Sequence, residues 1–132
     1  MTMKILIAIA IIGLGATGCA ASIARDKASD VAAGQAIYTA NCALCHDNSN
    51  HMLNDNGPAL FGVVGRPVGS VEGYAYSPAL VTANAGGDIW REDSLDEFLK
   101  EPYVMHPGTS MPMNFADPKT RHAIIAYLKT LK

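Results

Sequence analysis

Cys42, Cys45 and His46 stand in the order C-x-x-C-H, two thiols three positions apart with an imidazole directly behind the second. Three chemistries use such a set. A structural zinc site needs four ligands. The remaining candidates, His51, His106, His122 and Cys19, do not repeat the paired spacing that zinc sites show. A redox disulfide belongs beside a βαβ unit, and no strand pattern is present to build one. Covalent haem is the third: both thiols add to porphyrin vinyl groups and the histidine ligates iron. On a helix end, residues three apart share one side, so both sulfurs reach one ring edge while His46 lies beneath the iron. The context favours haem.

The elements that must carry this motif are helical. Gly34, Ile37, Tyr38 and Asn41 recur at three- and four-residue spacing, which predicts a helix from an Asp30 cap to about Cys45. A glycine on its packed face costs helix stability and implies close approach of another helix. Ser77-Pro78 opens a short helix that ends by Gly86-Gly87. Ser94 and Glu97 have capping-box spacing ahead of an apolar stripe at Leu95, Phe98 and Leu99, and Pro102 ends that helix. Asp117-Pro118 opens the last helix, with Ile124, Tyr127, Leu128 and Leu131 as its stripe and Lys129 and Lys132 at the negative end of its dipole. Between them, "NGPALFGVVGRPVGSVEGYAYSP" is too punctuated by Gly and Pro to be helical and alternates too weakly for a sheet. The expected fold class is all-α, three main helices with one or two short ones and large loops.

The chain has 132 residues, 49% of them hydrophobic, and a net charge of -2. That fits one small domain with no basic block for nucleic acid. Lys4 precedes an uncharged run from Ile5 to Ala24. Residues 1–24 therefore read as a signal peptide, a lipoprotein signal lipidated at Cys19 within "ATGC", or a retained membrane anchor. All three deliver the domain outside the cytoplasm, to a periplasm. Residues 25–29 read as a short polar tether and 30–132 as the functional domain.

With haem in place, Asp30 to Leu131 resembles the class I cytochromes c. The resemblance rests on the attachment motif, on Gly34 and Tyr38 of the first helix, on Tyr127 in "AIIAYLK", on "NGPALFG" and on "PGTSM". It implies the cytochrome c fold, in which the first and last helices cross around one haem c. It also implies Met111 as the sixth iron ligand, a soft thioether that favours ferrous iron and raises the potential. Met52, Met105 and Met113 are alternatives, and Met113 in the same loop is the real competitor. The resemblance further implies that the Pro58 carbonyl accepts from the His46 nitrogen that does not bind iron. It assigns Arg66, Tyr76 and Trp90 to the haem propionates, and Leu60, Phe98 and Leu99 to the apolar pocket wall. His106, beside a loop proline, is expected to be solvated.

Three departures from the family pattern stand out. Phe98 replaces a tyrosine common near the methionine sulfur, and Leu80 stands where mitochondrial members carry asparagine. An acidic cluster of Glu92, Asp93, Asp96, Glu97 and Glu101, expected to be a solvated helix face, occurs without the lysines that surround the mitochondrial haem edge. The function implied is a monomeric, periplasmic, single-electron carrier. Its donor would be a quinol-oxidising complex or dehydrogenase, and its acceptor a terminal oxidase or reductase. The alternatives are a peroxidase-like enzyme or gas-binding module with open iron, or a dedicated subunit of a larger oxidoreductase, tethered through the N-terminal segment or Cys19.

Overall fold

The computed structural model describes residues 17–132. Five α-helices follow in order: α1 (Thr17–Ile37), α2 (Pro78–Ala85), α3 (Glu92–Lys100), α4 (Pro102–Met105) and α5 (Pro118–Leu128). A π-helical turn, Tyr38–Cys42, extends α1. Among the described residues there is no β-strand, only an isolated antiparallel bridge between Pro67 and Ile89. The expected all-α architecture, three main helices with one or two short ones, is found, and the short helices are two, α2 and α4. The expectations for Ile5–Ala24 fall on residues 1–16 and on the side chain of Cys19, outside what the structure describes. Among the described residues, no helix is long and apolar enough to cross a membrane.

Two helix starts differ from expectation. Residues 25–29, expected as a short polar tether, are helical: α1 runs through them, because the segment has neither glycine nor proline to stop it. Asp30 is therefore inside the helix rather than at its cap, and its carboxylate faces His122 Nε2 of α5 at 3.3 Å. Helix α3 begins at Glu92, with Arg91 as its N-cap residue. Ser94 is thus three residues into the helix, where its Oγ accepts from the Arg91 N–H at 2.8 Å. The other starts are as expected. Ser77 stands at the N-cap position of α2 with Pro78 in the first turn, although its hydroxyl makes no capping bond, and the Asp117 carboxylate accepts from the Lys119 and Thr120 N–H groups.

Helices α1 and α5 cross at the core. Gly34 is where they touch: a Cβ there would lie 1.9 Å from the Ala123 carbonyl oxygen and 2.8 Å from Tyr127 Cβ. Tyr38, Ile124, Ile125, Tyr127 and Leu128 are buried around this point, and the Tyr38 and Tyr127 rings pack 5.4 Å apart. Each such side chain stabilises the fold by about 1.5–3 kcal/mol when fully removed from water. Helix α3 packs on α5 through Leu95, Phe98 and Leu99, and the Glu92–Lys129 pair closes its edge at 2.6 Å.

The acidic face of α3 is more than a solvated surface. Asp96 receives the Arg121 guanidinium at 2.8 Å, and Arg121 is only 6% exposed. Arg121 Nη1 also donates to the Phe115 and Ala116 carbonyls. One buried cation thus ties α3, α5 and the loop leading out of "PGTSM" together.

Candidate cofactor site

The motif is positioned by the widened end of α1. Thr39 Oγ1 and Asn41 Nδ2 donate to the Gln35 and Ile37 carbonyls, acceptors that a regular helix reserves for backbone N–H groups. The Ala43 N–H consequently reaches back five residues to Tyr38 O at 2.9 Å. The chain then turns tightly, so that the Cys42 carbonyl accepts from both Cys45 and His46. Cys42 and Cys45 are free thiols, and burial pushes the Cys42 thiol up to about 11.

His46 is held from three directions. Its Nδ1 is 2.7 Å from the Pro58 carbonyl, so Nδ1 carries the proton and Nε2 keeps its lone pair. Its own carbonyl accepts from the Tyr38 hydroxyl. Burial lowers its pKa, which outweighs the opposing effect of the Pro58 bond. The imidazole is therefore neutral at physiological pH, the form a metal needs.

The third support is Gly57, a residue the sequence reading missed. A Cβ at Gly57 would lie 2.4–2.8 Å from three atoms of the His46 ring. The glycine backbone is thus a flat surface on which the imidazole rests, fixed by the Gly57 N–H donating to Cys45 O at 2.8 Å. Gly57→Ala is expected to tilt the ring off Pro58 O, a misplacement on the order of 1 Å. The change should appear as altered axial-histidine signals in paramagnetic NMR of the ferric holoprotein; an unchanged spectrum would dismiss this role.

Cys42, Cys45, His46, Pro58, Arg66, Tyr76, Trp90 and Met111 all line a single cavity of about 370 Å³. The sequence-derived residues are therefore brought together without exception. Leu60, Leu80, Phe98 and Leu99 form apolar wall, as do Val63, Ile124 and Leu128, which the sequence reading had not placed there. Arg66 donates to the Phe61 and Ala59 carbonyls at 2.8 Å each, which aligns its guanidinium and leaves other N–H groups for an anion. The Tyr76 hydroxyl accepts from the Val71 N–H at 3.2 Å, so its own proton stays available. Trp90 is pinned beside Arg66 by its backbone N–H donating to Arg66 O at 2.9 Å.

Of the methionines, Met111 and Met113 line the cavity, whereas Met105 lines a different one. Met111 also packs against the core. Among the described residues no group of three or more His, Cys, Asp or Glu side chains is gathered to hold a metal ion. A mostly apolar cavity with two thiols, a neutral imidazole, a thioether and three polar donors instead suits a flat metallo-macrocycle with acidic substituents.

The family model for cytochrome c matches residues 31–132. The chain belongs to the cytochrome c family. The cytochrome is 41% identical to cytochrome c of Euglena viridis over 78% of its own length and 98% of that relative's. It is 32% identical to cytochrome c2 of Rhodopseudomonas palustris, over 92% and 95% of the two chains. Among solved structures it is similar to cytochrome cH from Methylobacterium extorquens, with a TM-score of 0.68 and 41% identity, covering 76% of this chain and 98% of that one. The cytochrome carries one covalent haem c, and its activity is electron transfer by the haem iron.

One expectation is overturned. His106 is not solvated but 9% exposed, packed edge-on to Trp90 with ring centroids 6.0 Å apart and 5.7 Å from Phe98. The preceding short helix α4 turns its backbone inward, and Pro107 and Gly108 carry the exposed part of the loop.

Proposed function

We propose that the cytochrome is a periplasmic, monomeric carrier that moves single electrons with its iron held between His46 and Met111. The observation that carries this reading is the single cavity shared by both thiols, the Pro58-oriented imidazole and the Met111 thioether. Cys42 and Cys45 anchor the macrocycle as thioethers. Arg66, Tyr76 and Trp90 neutralise and orient its propionates, since half-buried carboxylates need charged or neutral donors. The haem supplies the one-electron couple. The protein keeps both axial positions filled, so little rearranges on electron transfer and no substrate occupies the iron.

Export is supported by Lys4 and the uncharged run behind it. The donor is a quinol-oxidising complex or a dehydrogenase, and the acceptor a terminal oxidase or reductase, met through small transient contacts. The deciding experiment is an optical and carbon monoxide titration of purified holoprotein. A low-spin ferrous spectrum, a weak far-red ferric band from sulfur ligation and no carbon monoxide uptake are expected. Rapid uptake by the native reduced protein would defeat the carrier reading.

A further inference from the structure

An imidazole enclosed without a hydrogen-bond partner loses its hydration with nothing in return, so it is seldom found in an apolar interior. In His106 one of the two ring nitrogens is so placed: Nε2 is shut off from solvent and has no partner. Its backbone is fixed, with the N–H donating to Pro102 O at 2.9 Å and the carbonyl accepting from Thr109 at 3.0 Å. Trp90 and Phe98, the rings against which it packs, both line the haem cavity. One aromatic ring therefore separates the imidazole from the cavity that would hold the haem. His106 also borders a second cavity of about 250 Å³, lined by Asp88, Arg91, Asp93 and Glu97. That cavity is polar and roomy enough for water. Packing alone would be served by an aliphatic side chain here.

We infer that His106 is a proton-binding site coupled to the haem iron, so that in an acidic range the cytochrome takes up a proton together with its electron. The inference rests on the carrier reading above. In that range ferric iron with neutral His106 gains one electron from the redox donor and one proton from solvent, giving ferrous iron with His106 protonated. The coupling is electrostatic: reduction removes one positive charge from the iron and so favours the imidazolium. Asp88, Asp93 and Glu97 favour the imidazolium and Arg91 opposes it, while Val68 and the rings contribute no charge. Burial opposes it most, lowering the pKa of His106 despite Asp88. The titration therefore falls on the acid side of an ordinary histidine. The proton binds more tightly to the ferrous form, so the potential rises as pH falls through the interval between the ferric and ferrous His106 pKa values. It is level above and below that interval.

The test is the midpoint potential of the holoprotein against pH at constant ionic strength, for the native protein and for His106→Gln. Proton affinity about three- to tenfold higher in the ferrous form is expected, a rise of about 30–60 mV on the acid side that the variant lacks. Superimposable curves for the two proteins would overturn the inference. Because His106 is buried and the variant can fail to fold, NMR titration of the native imidazole in each oxidation state is a second arm. A higher ferrous pKa supports the coupling, and equal pKa values exclude it. Loss of coupling with a six-coordinate, carbon monoxide-resistant spectrum sinks only the proton site; carbon monoxide uptake would sink the carrier reading itself.

Discussion

Met111→Ala is expected to abolish the far-red sulfur band of the ferric cytochrome, open the ferrous iron to carbon monoxide and lower the reduction potential by on the order of 0.1 V. Axial-ligand identity moves haem potentials across a span of about 0.8 V, and a thioether favours the ferrous state. Removing it takes away a soft donor and admits water or a small ligand. Met113→Ala is the matched control, because Met113 lines the same cavity two residues on. It should leave band, potential and carbon monoxide resistance intact. The opposite pattern would move the ligand to Met113, and silence in both variants would take the ligand out of this loop.

The second large effect is on stability, and its sign separates two causes. Helix propensity alone makes Gly34→Ala stabilising by about 1 kcal/mol, since alanine is the better helix former. Packing demands the reverse. The added Cβ would sit 1.9 Å from the Ala123 carbonyl oxygen, a backbone atom that can give way only if α5 moves off α1. Overpacking of this kind costs about 1–3 kcal/mol, occasionally more, a large part of a total stability of about 5–15 kcal/mol. Urea unfolding of the holoprotein should show a lower midpoint and an unfolding free energy smaller by this amount. Gly62→Ala serves as comparison: nothing lies within 4 Å of its would-be Cβ, so only the strain of its φ of +69° is felt. A Gly34→Ala protein more stable than the native one would refute the close-contact account of this crossing.

The parts of the site legible in advance were those written as local chemistry. The attachment motif names its own cofactor, and the α5 stripe at Ile124, Tyr127 and Leu128 is buried as its spacing indicated. The glycine at position 34 was readable because a helix-weakening residue on a packed face has few other uses. The Pro58 carbonyl and the residues lining the polar end of the cavity came through resemblance, and the geometry gathers all of them at one place. What stayed hidden depends on partners distant in sequence. Gly57 matters only because the loop folds it onto His46. Arg121 reads as an ordinary helix cation until Asp96 and two loop carbonyls converge on it. His106 carried no local mark of burial, since only the approach of Trp90 and Phe98 encloses it. The start of α1 was misplaced for a different reason: Asp30 is a good cap residue, but a side chain able to cap does so only where the helix has cause to begin.

The crossing of α1 and α5 also sets an order of events during biosynthesis. Its two halves lie near opposite ends of the described chain, so the contact at Gly34 and Ala123 cannot form until residues 118–128 have been made. Until then the amino-terminal helix has no mate for its buried face, and the wall formed by Ile124 and Leu128 does not exist. The attachment cysteines are therefore synthesised long before the chamber around them can shut. A nascent cytochrome of this design stays accessible through the whole of its translation, and its last turn of helix is the bolt that locks the finished molecule.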